Sequence, residues 1–187
     1  MNPSATLQLL LNTHRLKRTP RSGWMMRGVT DAESVADHSF GVAFISLLLA
    51  EFVDQPLDKT KLLTIALLHD LPETVLSDLP SLAASHLPLD AKRQAEEEIL
   101  AELLHHLPCV EQWYVWWQEF EDETSAEGRL VRDADQLDML IQAYVYEQTT
   151  GNHWLEDFWP PSDVSPFTFD ATRKLYEELI TLRKRHS

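Results

Sequence analysis

The stretch 62–80 constrains the fold of this chain more than any other, because an apolar run ends there in two polar residues and a proline. His69 and Asp70 follow the apolar run directly, and both side chains are costly to bury without a partner. Pro72 cannot continue a helix, since it lacks an N–H group and clashes with the preceding turn. The pattern therefore predicts a helix over 58–71 that presents His69 and Asp70 at its C-terminal end to something cationic.

Apolar residues recur at helical spacing over most of the chain, so the sequence predicts an all-α fold. The chain has 187 residues, no internal repeat and no low-complexity linker, and we expect one domain over residues 1–187. The longest apolar candidate, 40–50, is too short to span a bilayer, and we expect no membrane partner.

Two segments with the form of a capping box predict where long helices begin. Thr30, with Glu33 three residues later, predicts the start of the helix that carries His38. Thr124, with Glu127, predicts the start of a second long helix that ends where Gly151 follows.

The formal net charge of −14 argues against nucleic acid as a general partner. Residues 1–30 nevertheless contain five basic residues and no acidic one. Arg21 and Trp24 lie there in a loop rich in Pro, Ser and Gly, where an arginine can clamp phosphate and a tryptophan can stack. A solvated loop or a dimer contact explains the same charge, and packing in the core is the simpler interpretation of Trp24 alone.

The single cysteine, Cys109, excludes an intrachain disulfide and fits a reducing cytoplasm. Four large aromatic side chains between Trp113 and Trp117 cannot all face one core. Some of them meet another helix or a second subunit, and we expect a homodimer.

Two histidines and two aspartates form an ordered set along the chain: His38 early in a helix, the adjacent pair His69 and Asp70, and Asp135 on a much later helix. Taken singly, His38 is most simply a satisfied core residue, and Asp135 can pair with Arg132. Taken together, two imidazoles and two carboxylates suit a divalent metal with positions left open for water. Without thiolates in the set, a structural zinc site is not expected.

This order resembles the H…HD…D signature of the HD-domain metal-dependent phosphohydrolases. The chain is most similar to their single-domain 5′-deoxynucleotidases of the YfbR and HDDC2 type. The resemblance covers about residues 7–145 and leaves a C-terminal helical extension of about 146–187 without a recognisable motif. The similar stretches are Leu16–Trp24, Glu33–Ser39, His69–Glu73 with Asp78–Pro80, and Glu119–Glu121 through Val131–Asp135.

The resemblance implies an HD-domain helical bundle that holds one divalent metal ion, Mn²⁺, Co²⁺ or Mg²⁺. The metal ligands that it implies are His38, His69, Asp70 and Asp135.

The resemblance also implies removal of the 5′-phosphate of a nucleoside monophosphate, which is the expected small-molecule substrate. It assigns the substrate phosphate to Arg21 and the catalytic chemistry to Glu73 and Asp78, and Trp24 then packs on the sugar. Glu73 can orient water or accept its proton, and Asp78 can shuttle a proton or support the site. Two alternatives stay open: an HD hydrolase of another phosphate ester, such as a nucleoside triphosphate, cyclic nucleotide or phosphonate, and a non-catalytic nucleotide-binding module.

Overall fold

Ten α-helices and two short 3₁₀ turns make up the regular structure that the computed structural model describes for residues 1–88, 90–161 and 164–186. Within these ranges the structure has no β-strand, and the all-α prediction is confirmed. The helices are α1 (Pro3–Thr13), α2 (Ser22–Met26), α3 (Val35–Leu49), α4 (Lys59–Leu68), α5 (Glu73–Leu76), α6 (Ser81–Ala84), α7 (Ala91–Leu104), α8 (Val110–Glu121), α9 (Ala126–Thr150) and α10 (Asp170–His186).

Helix α9 lies at the centre of the bundle, where it packs against α3, α4, α8 and α10. It contributes to two of the three buried apolar clusters. Its fully buried side chains include Leu130, Val131, Ala134 and Leu140. Burial of one such leucine contributes roughly 1.5–3 kcal/mol, so the apolar side of α9 holds α3 and α4 firmly in place.

The observed start of α3 corrects the predicted one. Ser34, and not Thr30, is the N-cap: its hydroxyl accepts from the Asp37 amide, and the Asp37 carboxylate accepts from the Ser34 amide. Glu33 does not cap the helix because its carboxylate accepts a hydrogen bond from the Trp24 indole. His38 consequently lies in the first turns of α3.

The remaining helix ends follow the sequence closely. Helix α4 ends at Leu68, and Pro72 is the N-cap residue of α5. Ser125, one residue after the predicted Thr124, caps α9. The predicted end of α9 is confirmed, since Gly151 follows it with a φ of 65°.

The aromatic cluster on α8 packs within the chain. Trp117 is buried, and Trp113 and Tyr114 are half-buried against the same apolar cluster. These side chains therefore no longer argue for a second subunit. Among the helices that the structure describes, none has the length and apolar character needed to cross a membrane.

Candidate metal centre

The imidazole of His38 lies at the contact between α3 and α9. Its side chain is 1% exposed, and the two ring nitrogens face different carboxylates. Nε2 is 3.1 Å from Asp135 Oδ1, and Nδ1 is 2.8 Å from Asp138 Oδ2. A lone core histidine needs only one such partner, so this arrangement favours a functional role.

His69 and Asp70 stand at the C-terminal end of α4, as the sequence predicted. The Nδ1 atom of His69 lies 2.8 Å from the carbonyl oxygen of Ala66, one turn back. Its Nε2 atom lies 3.4 Å from His38 Nε2 and 3.3 Å from Asp70 Oδ2. Because Nδ1 is held by the backbone, Nε2 points at the same space as His38.

The four predicted metal ligands therefore meet, although 97 positions separate the first from the last. One donor atom each from His38, His69 and Asp135 lies within 4.8 Å of the others. Asp70 Oδ2 is also 3.7 Å from His38 Nε2. Metal–ligand bonds of about 2.0–2.2 Å leave neighbouring donor atoms about 3–3.5 Å apart, so the closest spacings fit a bound ion.

The charges of the cluster are those of a cation site. Burial by itself lowers the pKa of His38, but its hydrogen bonds with Asp135 and Asp138 raise that pKa to about 10. Burial raises the pKa of Asp135, and the hydrogen bond with His38 overrides it, which lowers the pKa to about 2. The charge of His69 holds the pKa of Asp70 well below its ordinary value, against the effect of burial. The carboxylates thus stay ionised, as metal ligands must.

Arg21 reaches the same centre from the basic loop. Its Nη1 atom is 3.0 Å from Asp70 Oδ2, and its backbone amide donates to the carbonyl oxygen of Glu33. Burial lowers the pKa of Arg21, but the charges of Asp70 and Asp135 raise it above its ordinary value. A fully charged guanidinium therefore lies beside the predicted metal ligands.

Asp78 holds the loop that carries Arg21. Its carboxylate accepts from the amide of Ser22, and the Ser22 hydroxyl donates to the Asp78 carbonyl oxygen at 2.9 Å. Of the two roles considered for Asp78, support of the site fits these contacts better than proton transfer.

Glu73 is buried and incompletely bonded. Its Oε2 atom has no hydrogen-bond partner within the described residues. Burial and, to a smaller extent, the charges of Asp70 and Asp78 raise the pKa of Glu73 to about 9. A buried carboxyl oxygen without a partner is rare in folded proteins, and it indicates that a ligand or water completes the site.

Trp24 differs from its predicted role as a surface for the sugar. Its ring is 2% exposed, packs edge-on against Tyr146 and donates from Nε1 to Glu33 at 2.9 Å. Trp24 also lies in helix α2 and not in the predicted loop, and its ring is in the core because a large ring gains more from burial than from stacking at the surface. A direct contact with substrate requires α2 to move.

Asp138 is the site residue that the sequence analysis missed. Asp135 and Asp138 are three positions apart on α9, so both lie on the same face of the helix. That spacing was the available signal, but an acidic helix face is usually solvated.

Comparisons with known proteins agree with this arrangement. A model of the HD domain family matches residues 13–160. A 5′-deoxynucleotidase HDDC2 of Bos taurus is 34% identical in an alignment of 176 positions that covers 92% of this chain and 83% of that protein. The 5′-deoxynucleotidase YGK1 of Saccharomyces cerevisiae is 30% identical in an alignment of 190 positions that covers 98% of this chain and 85% of that protein.

Solved structures share the fold. A conserved hypothetical protein from Pyrococcus furiosus is 40% identical, with a TM-score of 0.79 over 95% of this chain and 99% of that chain. The PH0347 protein from Pyrococcus horikoshii is 35% identical, with a TM-score of 0.78 over 95% of this chain and 98% of that chain. The family match includes every residue of the cluster described above.

Proposed function

The chain belongs to the HD-domain family, and on that premise we propose that it is a metal-dependent phosphohydrolase that removes the 5′-phosphate of (deoxy)ribonucleoside monophosphates. The observation that carries this proposal is the convergence of four donor residues beside one charged arginine. The convergent residues are His38, His69, Asp70 and Asp135, next to Arg21.

One divalent ion, Mn²⁺, Co²⁺ or Mg²⁺, fits the nitrogen and oxygen donors of these four residues. When bound, the ion supplies Lewis acidity and makes water a better nucleophile near neutral pH. The chain's own part is to hold the donors in place: His38 and His69 each engage Nδ1 elsewhere and leave Nε2 directed at the ion position.

Arg21 binds the substrate phosphate in this proposal. Its guanidinium lies beside Asp70 and presents a planar donor group that suits two phosphate oxygens at once. The same positive charge stabilises the charge that develops on the phosphoryl oxygens in the transition state. Residues 1–30 carry no acid, so the loop favours approach of an anion on an otherwise acidic protein.

Glu73 orients the attacking water or accepts its proton. Its Oε2 atom, which has no partner among the described residues, is available for such a contact, and a bound cation would favour the ionised carboxylate that accepts a proton. Asp78 holds Arg21 in place through Ser22, the first residue of α2, and Trp24 anchors the same helix in the core.

The decisive experiment measures phosphate release from ribo- and deoxyribonucleoside 5′-monophosphates with Mn²⁺, Co²⁺ and Mg²⁺. We expect release only with metal, and none from the His69→Ala variant, which removes a donor. Cleavage of triphosphates or cyclic nucleotides instead favours another phosphate ester as the substrate. Tight nucleotide binding without turnover under every metal favours a non-catalytic module.

We also propose that the protein is a homodimer. The solvent side of α3 carries a row of exposed aromatic rings, Phe40 at 73% and Phe44 at 60% exposure, beside an apolar groove. None of the described residues that line this groove is acidic, in a chain with 30 acids. Two copies of such a face can meet without repulsion between carboxylates. Light scattering that finds a monomer for the Phe44→Glu variant, and a dimer for the parent, supports this proposal.

The remaining expectations fit the same proposal. A cytoplasmic location agrees with a single cysteine. A single HD domain over the whole chain, with the extension of about 146–187 attached, agrees with the packing of α10 on α9.

A further inference from the structure

His38 is held from both sides of its ring by two carboxylates of the same helix. Nε2 faces Asp135 at 3.1 Å, and Nδ1 faces Asp138 at 2.8 Å. The spacing of three residues places both carboxylates on one side of α9. One helix thus supplies a predicted metal ligand and a partner for the opposite nitrogen of the same imidazole.

Gly41 creates the space for this second carboxylate. It lies one turn after His38 in α3, and a Cβ atom built there meets Asp138 Oδ1 at 2.1 Å and Asp138 Cγ at 2.8 Å. Real Cβ atoms do not approach other atoms so closely. Glycine is unfavourable in the interior of a helix relative to alanine, so its presence in α3 needs a local reason. The approach of Asp138 is such a reason.

We infer that Asp138 is a positioning residue for the metal ligand His38, and that Gly41 is the gap in α3 that admits it. This inference rests on the metal-dependent function proposed above. An ionised carboxylate only accepts hydrogen bonds, so Nδ1 of His38 donates to Asp138, and Nε2 is the nitrogen that would lose its proton and bind the ion. The contact therefore sets the tautomer and the angle of the ring, and its negative charge makes Nε2 a stronger donor to the metal.

The alternative to a positioning role is that Asp138 itself binds a second cation. Single donor atoms of Glu33, His38 and Asp138 also lie within 4.8 Å of one another, which is a spacing that a cation accepts. Glu33, however, already accepts from the Trp24 indole at 2.9 Å. His38 Nδ1 is likewise at hydrogen-bond distance from Asp138, with no gap for an ion between them. The structure therefore favours one ion, on the Nε2 side.

The test is calorimetric titration of the metal-free protein with Mn²⁺, which reads metal affinity without turnover. The parent protein is expected to bind one ion per chain. Asp138→Ala is expected to weaken binding by about 10- to 100-fold, since it leaves the orientation and tautomer of His38 free. Asp138→Asn is expected to bind better than Asp138→Ala, because an amide oxygen still accepts from Nδ1.

Gly41→Ala tests the gap itself. The added methyl group displaces the Asp138 carboxylate, so this variant is expected to lose Mn²⁺ affinity to about the same extent as Asp138→Ala. The double variant Gly41→Ala/Asp138→Ala is expected to be no weaker than Asp138→Ala alone, because the methyl group then occupies space that the carboxylate has left. Independent sites give additive losses instead.

Two control variants distinguish a positioning role of Asp138 from a general loss of stability. Asp133 is a buried carboxylate on the same helix, but it accepts from the amides of Thr168 and Phe169, away from the ion position. Gly128 is a second helical glycine, whose Cβ would meet the carbonyl oxygen of Glu119 at 2.6 Å. Asp133→Asn and Gly128→Ala are expected to lower the melting temperature and to leave Mn²⁺ affinity of the folded protein unchanged.

Three results overturn the inference: unchanged Mn²⁺ affinity in Asp138→Ala, additive losses in the double variant, or two ions per chain in the parent with one lost in Asp138→Ala. None of these three results contradicts phosphate release by the parent protein. A parent protein that binds Mn²⁺ but hydrolyses no phosphate ester contradicts the proposed function instead, while the affinity series still decides the role of Asp138.

Discussion

Arg21 and Arg183 are buried to nearly the same extent, but they differ in how their charges are paired. The side chain of Arg21 is 18% exposed and that of Arg183 is 20% exposed. Arg183 on α10 makes two contacts of 2.8 Å with Glu147 and lies 4.3 Å over the ring of Trp159. Among the residues that the structure describes, Arg21 forms one ion pair, with Asp70 at 3.0 Å.

The difference shows how a structural charge is distinguished from a functional one. The planar fork of Arg183 is matched by a carboxylate of the chain itself, so this pair ties α10 to α9. Arg21 faces a cluster whose carboxylates outnumber it and in which Glu73 has an oxygen without a partner. The first region pairs its charges within the chain, whereas the second is where we propose that an ion and an anion bind.

The largest expected effect comes from removing a metal ligand. His69→Ala leaves too few donors, so hydrolysis falls to background and Mn²⁺ no longer raises the melting temperature. The parent protein should gain about 2.7 kcal/mol of stability at a metal concentration 100 times the dissociation constant. Full activity of His69→Ala in a phosphate-release assay contradicts the metal centre.

The next effect concerns proton transfer. Glu73→Gln keeps the shape of the side chain but removes its capacity to accept a proton, so kcat should fall by about 10²- to 10⁴-fold. Metal affinity should stay within about threefold of the parent, since Glu73 is not among the proposed ligands. Steady-state kinetics beside a metal titration separates the two quantities, and a parental kcat removes Glu73 from the chemistry.

The structural arginine should affect stability alone. Arg183→Met leaves the half-buried Glu147 without its cation, which should lower the free energy of unfolding by about 1–3 kcal/mol. KM and kcat, measured well below the melting temperature, should not change. A variant that melts like the parent but hydrolyses poorly would instead place the C-terminal region in the site.

Substitution of Arg21, in contrast, should affect substrate binding and not stability. Arg21→Ala removes charged hydrogen bonds to phosphate of about 1.5–3 kcal/mol, so KM should rise by about 10- to 100-fold with little change in the melting temperature. Arg27→Ala is the matched control, because Arg27 lies in the same basic stretch but pairs with Asp157, at 3.2 Å, and not with the metal cluster. An equal rise in KM in both variants would mean that Arg21 contributes only general positive charge.

Much of this arrangement was predictable from local sequence. The break of α4 at His69 and the end of α9 before Gly151 depend on residues that act on their own backbone, such as Pro72. The start of α3 was not predictable in this way. Two capping signals stand four residues apart there, and only the engagement of Glu33 by Trp24 selects Ser34.

The sequence by itself determined the helical class and the main helix ends, because periodicity and backbone chemistry act over a few positions. It also predicted a set of donor residues, through their order along the chain and its resemblance to the HD-domain signature. Only the tertiary structure decided that Trp24 is buried and that Asp138 reaches His38. The latter contact joins residues 100 positions apart, and it depends on how closely α9 packs on α3 at Gly41. The distance between two packed helices is set by the side chains of both, so it produces no periodic pattern in the sequence of either helix.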